Sequence, residues 1–310
     1  MNLLALVLAG GEGTRLHPLT EQHAKPALPF AKGRRIVDFV LSNLVNSAIG
    51  RICVLAQYKP ESLVEHIESA WRSRFAAQGV SIEVVLPPPA APGATQYKGT
   101  ADAVYRNLDL IRRHAPDLVA VFAADHVYRM DVRQMVRFHR QKHAEVTIAA
   151  VRVPLDIAPS FGILDMDGDE RVLGFAEKPQ RPAPIPADPS RAYASMGNYL
   201  FEPRTLVNVL EQTALRGGSD FGRDLLPVLS RSRRVFAYDF SGNRIPGVRK
   251  SEEPGYWRDV GTLESLMAAR NDVVGPHPRF NLQNRRWPIH GVGLAALRDN
   301  PRDASSALAG

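Results

Sequence analysis

Cysteine is nearly absent. Cys53 is the only one in 310 residues, which excludes an internal disulfide framework and leaves the fold to apolar burial. No apolar stretch approaches the roughly 20 residues that span a bilayer. The first residues carry neither a basic n-region nor a small-residue cleavage site, so they read as a strand and not as a leader. Lysine is scarce too: Lys25, Lys32, Lys59, Lys98, Lys142, Lys178 and Lys250 are the only ones among 39 basic residues. The arginines are scattered, with short clusters at Arg34-Arg35, Arg112-Arg113 and Arg233-Arg234. A basic tail is missing, as is the interleaving of aromatic and basic residues that single-strand binders use. The formal charge of +7 suits anionic small substrates as well as a polymer, and charge alone does not decide. The expectation is a cytoplasmic protein without nucleic-acid or membrane partners.

What is present is an alternation of strand and helix. Leu3 to Ala9 is a continuous apolar run, as a strand buried on both faces requires. Val37, Val40, Leu41, Leu44, Val45 and Ala48 then recur at helical spacing, and Gly50 ends that helix. "RICVLAQ" and "SIEVVL" are strands around the helix opened by "PESLVEHIESAW", with proline in its first turn. A helix is predicted from about Gly99 to His114, and "LVAVFAAD" reads as a central strand. Such βαβα order implies a mostly parallel sheet with helices on both faces, its ligands at the C-terminal strand ends. From Val146 the strands follow one another with shorter connections, and Asp167-Gly168-Asp169 marks a hairpin turn. The proline-rich "KPQRPAPIPADP" reads as a loop. Helices are predicted around Pro203 to Gln212, Asp220 to Leu229 and Thr262 to Val274. No fixed-period repeat is visible.

The segment "LALVLAGGEGTRLHPLT" carries the chemistry. Gly10, Gly11 and Gly13 follow a strand, where bare backbone can wrap a phosphate. The dinucleotide fingerprint fails because Leu16 stands at its third glycine, and the P-loop fails because no Lys-Ser/Thr follows. What remains is G-G-x-G-T-R, with Arg15 placed to neutralise a polyphosphate. A tight βα turn with a solvated arginine is the plainer alternative. Lys25-Pro26 and Lys178-Pro179 place two lysines at loop or strand ends, able to grip two separate phosphates. Asp125 ends the strand "VFAAD", and Asp259 ends the apolar stretch of "YWRD". Each carboxylate either caps the helix that follows or joins the other on a phosphate-bound Mg²⁺, the arrangement nucleotidyl transfer uses. Asp131 and Thr262 are the better caps. His126 reads as structural, Cys53 as core, and Trp257 as packing.

"LAGGEGTRLHPLTEQHAKPALPF", "YKGTADAV", "DHVYRMD", "FGILDMD", "GFAEKP", "ASMGNYLF", "DFGRDLLP" and "YWRDVGTLES" occur in the order seen in the ADP-glucose pyrophosphorylase family. The resemblance runs over roughly residues 3 to 290. It implies a Rossmann-like, GT-A-like nucleotidyltransferase fold: α/β, with a mostly parallel mixed central sheet flanked by helices. The implied reaction transfers the adenylyl group of ATP to glucose 1-phosphate, releasing pyrophosphate and feeding α-glucan synthesis, with Mg²⁺ as cofactor. By resemblance Arg15 and Lys25 are catalytic, and Asp125 and Asp259 are the metal aspartates. Gly10, Gly11, Gly13, Thr14, Gln57, Tyr97, Gly99 and Thr100 fall at ATP-binding positions. Glu177, Lys178 and Ser195 fall in the sugar-phosphate pocket. Alternatives are the same chemistry with UTP, dTTP or GTP, and a non-catalytic regulatory subunit; the intact side chains argue against the latter.

Two departures accompany the resemblance. Family members carry a second, C-terminal domain, a left-handed β-helix of hexapeptide repeats, and no such period is visible after Trp287. The expectation is a catalytic domain over residues 1–290 with a disordered tail over 291–310, and weaker grounds for a homo-oligomer. Gln22 and His23 stand where well-studied relatives have basic residues for phosphorylated-sugar effectors, which implies a weak response to such effectors.

Overall fold

A computed structural model describes residues 1–87 and 96–292. Of the expected tail, residues 293–310 lie outside the described residues. The chain divides into two compact units: Met1–Leu6, Pro87–Phe122 and Arg133–Asn243 form the first, and Val7–Leu86, Ala123–Val132 and Arg244–Gly310 the second. The strand Leu3–Ala9, buried along almost its whole length, begins in the first and ends in the second.

In the second unit the end of Leu3–Ala9 neighbours Arg51–Ala56, which pairs in parallel with Ser81–Val85 from Arg51↔Ser81 to Leu55↔Val85. Cys53 is buried in that strand, as read from the sequence. The connecting helices have the expected apolar faces. Val37–Asn46 is buried from Val37 through Leu44, including the polar Asp38, Ser42 and Asn43. Buried polar groups persist only when hydrogen-bonded, and all three are. Asp38 accepts from Trp71 Nε1 at 2.7 Å and from the Arg35 amide at 2.7 Å, and shares a 2.6 Å hydrogen bond with His66 Nε2. Asn43 donates to the Tyr128 carbonyl and accepts from the Met130 amide. Ser42 Oγ accepts from the His290 amide at 2.8 Å. This helix therefore holds segments distant in sequence by polar contacts as well as by packing.

The apolar core of this unit gathers Leu16, Phe30, Phe39, Val127, Val260, Leu266 and Phe280 among others. Phe30 meets Phe39 edge-on at 5.1 Å. Val127 and Val260 are fully buried and each sits within two residues of an aspartate singled out above. The core thus backs the strands that carry those carboxylates, and each such burial contributes about 1.5–3 kcal/mol.

The first unit is largely antiparallel. Val172–Glu177, Gly162–Met166, Arg191–Phe201 and Leu118–Ala123 lie side by side in that order. Val146–Pro154 pairs antiparallel with Arg191–Phe201 and parallel with Val235–Asp239. The α/β class with a mixed sheet flanked by helices is as expected.

Local details differ from the sequence reading. The single helix expected over 99–114 is two, Thr100–Tyr105 and Leu108–His114. Asn107 makes the break: its amide donates to the Tyr97 hydroxyl at 2.8 Å and to the Ala103 carbonyl, drawing the chain out of helical geometry. The hairpin turn stands where predicted, with Asp167 Oδ1 accepting from the Asp169 and Arg171 amides.

Candidate active site

After the strand Leu118–Ala123 the chain bends at Ala124-Asp125 and enters a second strand, His126–Tyr128. No helix begins at Asp125, so the capping role falls away. The strand pairs antiparallel with Trp257–Asp259, and the register sets His126 opposite Asp259 and Val127 opposite Arg258. Asp259 is spared capping duty as well, because Thr262 caps Leu263–Asn271 with a reciprocal capping box to Ser265. The ladder delivers Asp259 beside Asp125. Asn43 holds the Tyr128 end of it by the two hydrogen bonds described above.

Lys25 lies between the two carboxylates. Its ammonium is 2.8 Å from Asp125 Oδ2 and 3.8 Å from Asp259 Oδ1. The lysine is 91% covered, with 9% of its side chain exposed, whereas the aspartates expose 36% and 27%. Burial alone would push the Asp125 carboxyl up, but the Lys25 ammonium, with His126 and hydrogen bonds, holds it well below the usual carboxylate range. Asp125 is therefore ionised at neutral pH. Carboxylate oxygens of Asp125 and Asp259 and a ring nitrogen of His126 lie within 4.8 Å of one another, compact enough to surround one ion. Two carboxylates leaving room for water and substrate oxygens fit Mg²⁺. The sequence implies a structural role for His126. It does pack, tilted on Trp257 at 4.9 Å, but its Nδ1 also lies 3.6 Å from Asp125 Oδ1.

The glycine loop sits at the end of Leu3–Ala9. Gly13 has φ +67°, and a Cβ there would come within 3.1 Å of Thr20 and 3.2 Å of Lys25 Cβ. Its glycine is required twice over, by backbone and by space. Thr20 Oγ1 donates to the Gly13 carbonyl at 2.9 Å, and Gln57 Nε2 donates to the Gly10 carbonyl at 3.1 Å. Gly11 is different: a Cβ there would meet nothing within 4 Å. The folded chain itself therefore does not require glycine at that position. Thr14 and Arg15 are exposed in the single turn that follows. Arg15 points toward Asp259, since a Cβ on Gly261 would lie 3.0 Å from Arg15 Nη2 and 3.2 Å from Asp259 Oδ1. Gly10, Gly13, Arg15, Lys25, Gln57, Asp125 and Asp259 thus belong to one neighbourhood in the second unit.

The remaining sequence-derived residues lie in the first unit. A Cβ on Gly99 would come 2.6 Å from the Ser219 carbonyl, which accepts from the Ala101 and Asp102 amides. Thr100 Oγ1 donates to Asp220 Oδ2 at 2.9 Å and accepts from the Phe221 amide at 3.0 Å. Tyr97 is buried, its ring beneath the Arg106 guanidinium at 5.4 Å. Glu177 ends the strand Val172–Glu177, facing Gly222 so closely that a Cβ there would overlap Glu177 Oε2. Burial raises the Glu177 carboxyl and Asp220 adds to that, against Lys178. Lys178 has φ +47°, uncommon for a residue with a side chain, and its amide is held by the Phe161 carbonyl at 3.0 Å. Its side chain is exposed, 3.7 Å from Glu177 Oε1. A register shift in Arg191–Phe201 between Ser195 and Tyr199, with Gly197 at φ +69°, brings the Ser195 hydroxyl to 3.3 Å from the Tyr199 hydroxyl. Tyr199 stacks on Phe221 at 5.6 Å. Glu177, Asp220, Ser195, Tyr199 and Thr100 therefore share one polar neighbourhood.

Sequence reasoning missed Asp220, Tyr199 and Gly222. They lie inside the quoted stretches "DFGRDLLP" and "ASMGNYLF", but nothing local distinguishes an aspartate that caps a turn, as Asp220 does for Phe221–Leu225, from one that also orders a site.

Residues 4–274 match the family model described as nucleotidyl transferase. The chain is 49% identical over 290 residues to the glucose-1-phosphate adenylyltransferase of Thermodesulfovibrio yellowstonii, covering 93% of this chain and 70% of that protein. It is 48% identical to the glucose-1-phosphate adenylyltransferase of an Anaeromyxobacter species, with the same coverage. To the protein of that name in Mycobacterium tuberculosis it is 47% identical over 294 residues, 94% of this chain and 72% of that protein.

Proposed function

The chain belongs to the nucleotidyl transferase family, among the glucose-1-phosphate adenylyltransferases, and we propose that its site residues carry out that reaction as follows. A phosphate oxygen of α-D-glucose 1-phosphate attacks the α-phosphorus of ATP, the α–β P–O bond breaks, and ADP-glucose and pyrophosphate form. No protein nucleophile is needed, because the substrate phosphate attacks. Catalysis is positioning together with neutralisation of phosphate charge.

The observation that supports this most is the cation-bridged aspartate pair beside the glycine loop. Gly10, Gly11, Gly13 and Thr14 would lie against the triphosphate, with Arg15 over its charge. Mg²⁺ held by Asp125 and Asp259 would neutralise phosphate oxygens when bound. Gln57, Tyr97, Gly99 and Thr100 belong to the ATP side of the proposal, Tyr97 as a buried support for its loop. Glu177, Ser195 and Tyr199 would order the sugar hydroxyls, with Lys178 on the sugar phosphate. A cytoplasmic setting is part of the same reading, supported by a lone, buried cysteine.

The test is pyrophosphate release from the purified chain with glucose 1-phosphate, Mg²⁺ and each of ATP, UTP, GTP and dTTP. ATP is expected to be turned over fastest. Preference for another nucleotide would correct the base while keeping the chemistry. A folded sample that binds ATP without turnover would favour a regulatory role.

Gly222→Ala tests the sugar side separately. Its Cβ would displace the Glu177 carboxylate, and misplacing one ligating group raises the KM for glucose 1-phosphate by about tenfold or more. The KM for ATP is expected to stay as it was. A shift in the ATP value with the glucose 1-phosphate value unchanged would remove Glu177 from the sugar side.

A further inference from the structure

Lys25 occupies an unusual position for a residue expected to hold substrate phosphate. Its ammonium is engaged by both aspartates, at 2.8 and 3.8 Å. The ligand atoms of Asp125, His126 and Asp259 lie within 4.8 Å of one another, and the lysine reaches into that group. We propose that Lys25 is the resident cation of the aspartate pair and is exchanged for the divalent ion, being released toward the glycine loop as the metal enters. The inference rests on the assignment of Asp125 and Asp259 as metal ligands made above.

Charge and geometry support it. Two carboxylates against one ammonium leave the pair one charge short of neutral, which keeps it attractive to a second cation. A divalent ion brings two charges to the same oxygens. Ammonium and metal cannot both sit at contact distance from Asp125 Oδ2 without like-charge repulsion across a partly covered site. The lysine is the one free to move. Its backbone is fixed in the short turn Lys25–Ala27, through Ala27 to the Ala24 carbonyl and Leu28 to the Lys25 carbonyl. Its ammonium rides on a flexible four-carbon stem. Gly13 borders the root of that stem, where a Cβ would lie 3.2 Å from Lys25 Cβ, which sets the lysine beside the loop assigned to phosphate. The other cations facing the pair are less able to take this part. Arg15 is exposed and approaches Asp259 from the Gly261 side, and the His126 ring is packed on Trp257.

The exchange makes Lys25 available to phosphate only once metal is in place. It also keeps two neighbouring carboxylates from facing each other uncompensated before then. Metal entry and readiness for nucleotide become one event.

The experiment is Mn²⁺ binding by the full chain without nucleotide, read by the resonance signal of the free ion. Lys25→Met is expected to bind Mn²⁺ about tenfold tighter than the wild type, the size of an ordinary coupling between two ligands. Asp125→Asn is expected to lose the site. Equal or weaker Mn²⁺ binding by Lys25→Met overturns the exchange and leaves the metal assignment standing. Absence of Mn²⁺ binding in both wild type and Lys25→Met overturns the exchange, which requires metal to enter before nucleotide; absence that persists when an unreactive ATP analogue is added overturns the metal assignment as well. Should Lys25→Met fail to fold, the wild type decides: acetylation of Lys25, followed by mass spectrometry, is expected to speed up severalfold as Mn²⁺ saturates. An unchanged rate overturns the proposal.

Discussion

Asp125→Asn is expected to fold like the wild type and to turn over about 10²–10³ times more slowly, as loss of one preorganised charge at a reacting phosphate does. The substitution keeps shape and removes charge. The ladder that positions the residue is backbone pairing between His126–Tyr128 and Trp257–Asp259, which an amide at 125 does not disturb. What changes is the partner of Lys25, left with Asp259 at 3.8 Å as its remaining carboxylate. An amide oxygen is also a poorer ligand for a hard divalent ion than a carboxylate. Circular dichroism and thermal melting check the fold, and pyrophosphate release checks the rate. A variant within about threefold of wild-type turnover would remove Asp125 from the mechanism.

The second large effect is on stability. Asp38→Ala is expected to destabilise the protein by about 2–4 kcal/mol, the cost of leaving buried hydrogen-bonding groups without their shared partner. Asp38 and His66 are both fully covered, 0% exposed in their side chains. The aspartate serves three groups at once: His66, the Trp71 indole and the Arg35 amide. Removing it leaves the buried Trp71 indole N–H and the buried imidazole without their partner, and the part-buried Arg35 amide without its acceptor. The Trp71 ring, fully buried and stacked on Phe75 at 5.1 Å, cannot turn outward to find another. The denaturant midpoint should fall accordingly, with little change in its slope. A loss under about 1 kcal/mol would mean that the helix Val37–Asn46 does not depend on its buried polar face.

Both predictions concern residues that the sequence treats unequally. Asp125 is legible because an aspartate closing an apolar strand is a local pattern. Asp38 is not, since in "IVDFVLSNL" it reads as one polar position on an amphipathic helix. Its importance comes from His66 and Trp71, which reach it from a later helix. Gly13 and Gly11 make the same point within one loop. Both are glycines in a suggestive string, but only the fold distinguishes the one needed for its positive φ and crowded Cβ from the one whose missing side chain faces open space.

By itself the sequence determined most of the elements and the inventory of reactive groups. Apolar runs, helical spacing and turn residues act over a few positions, and so do the glycine string, the Lys-Pro pairs and the strand-end aspartates. Tertiary structure alone decided which of those groups meet. Asp125 and Asp259 are neighbours because the register of a short two-stranded ladder sets one beside the other, and pairing register between distant segments is not written in local periodicity. Lys25 bridges them because its turn packs behind Gly13. Asp220, Tyr199 and Gly222 joined the site through contacts with Glu177, Ser195 and Thr100 that no spacing along the chain encodes. Local sequence selects conformations a few residues long, whereas a charged cluster is assembled from side chains whose separation depends on the packing of the whole unit.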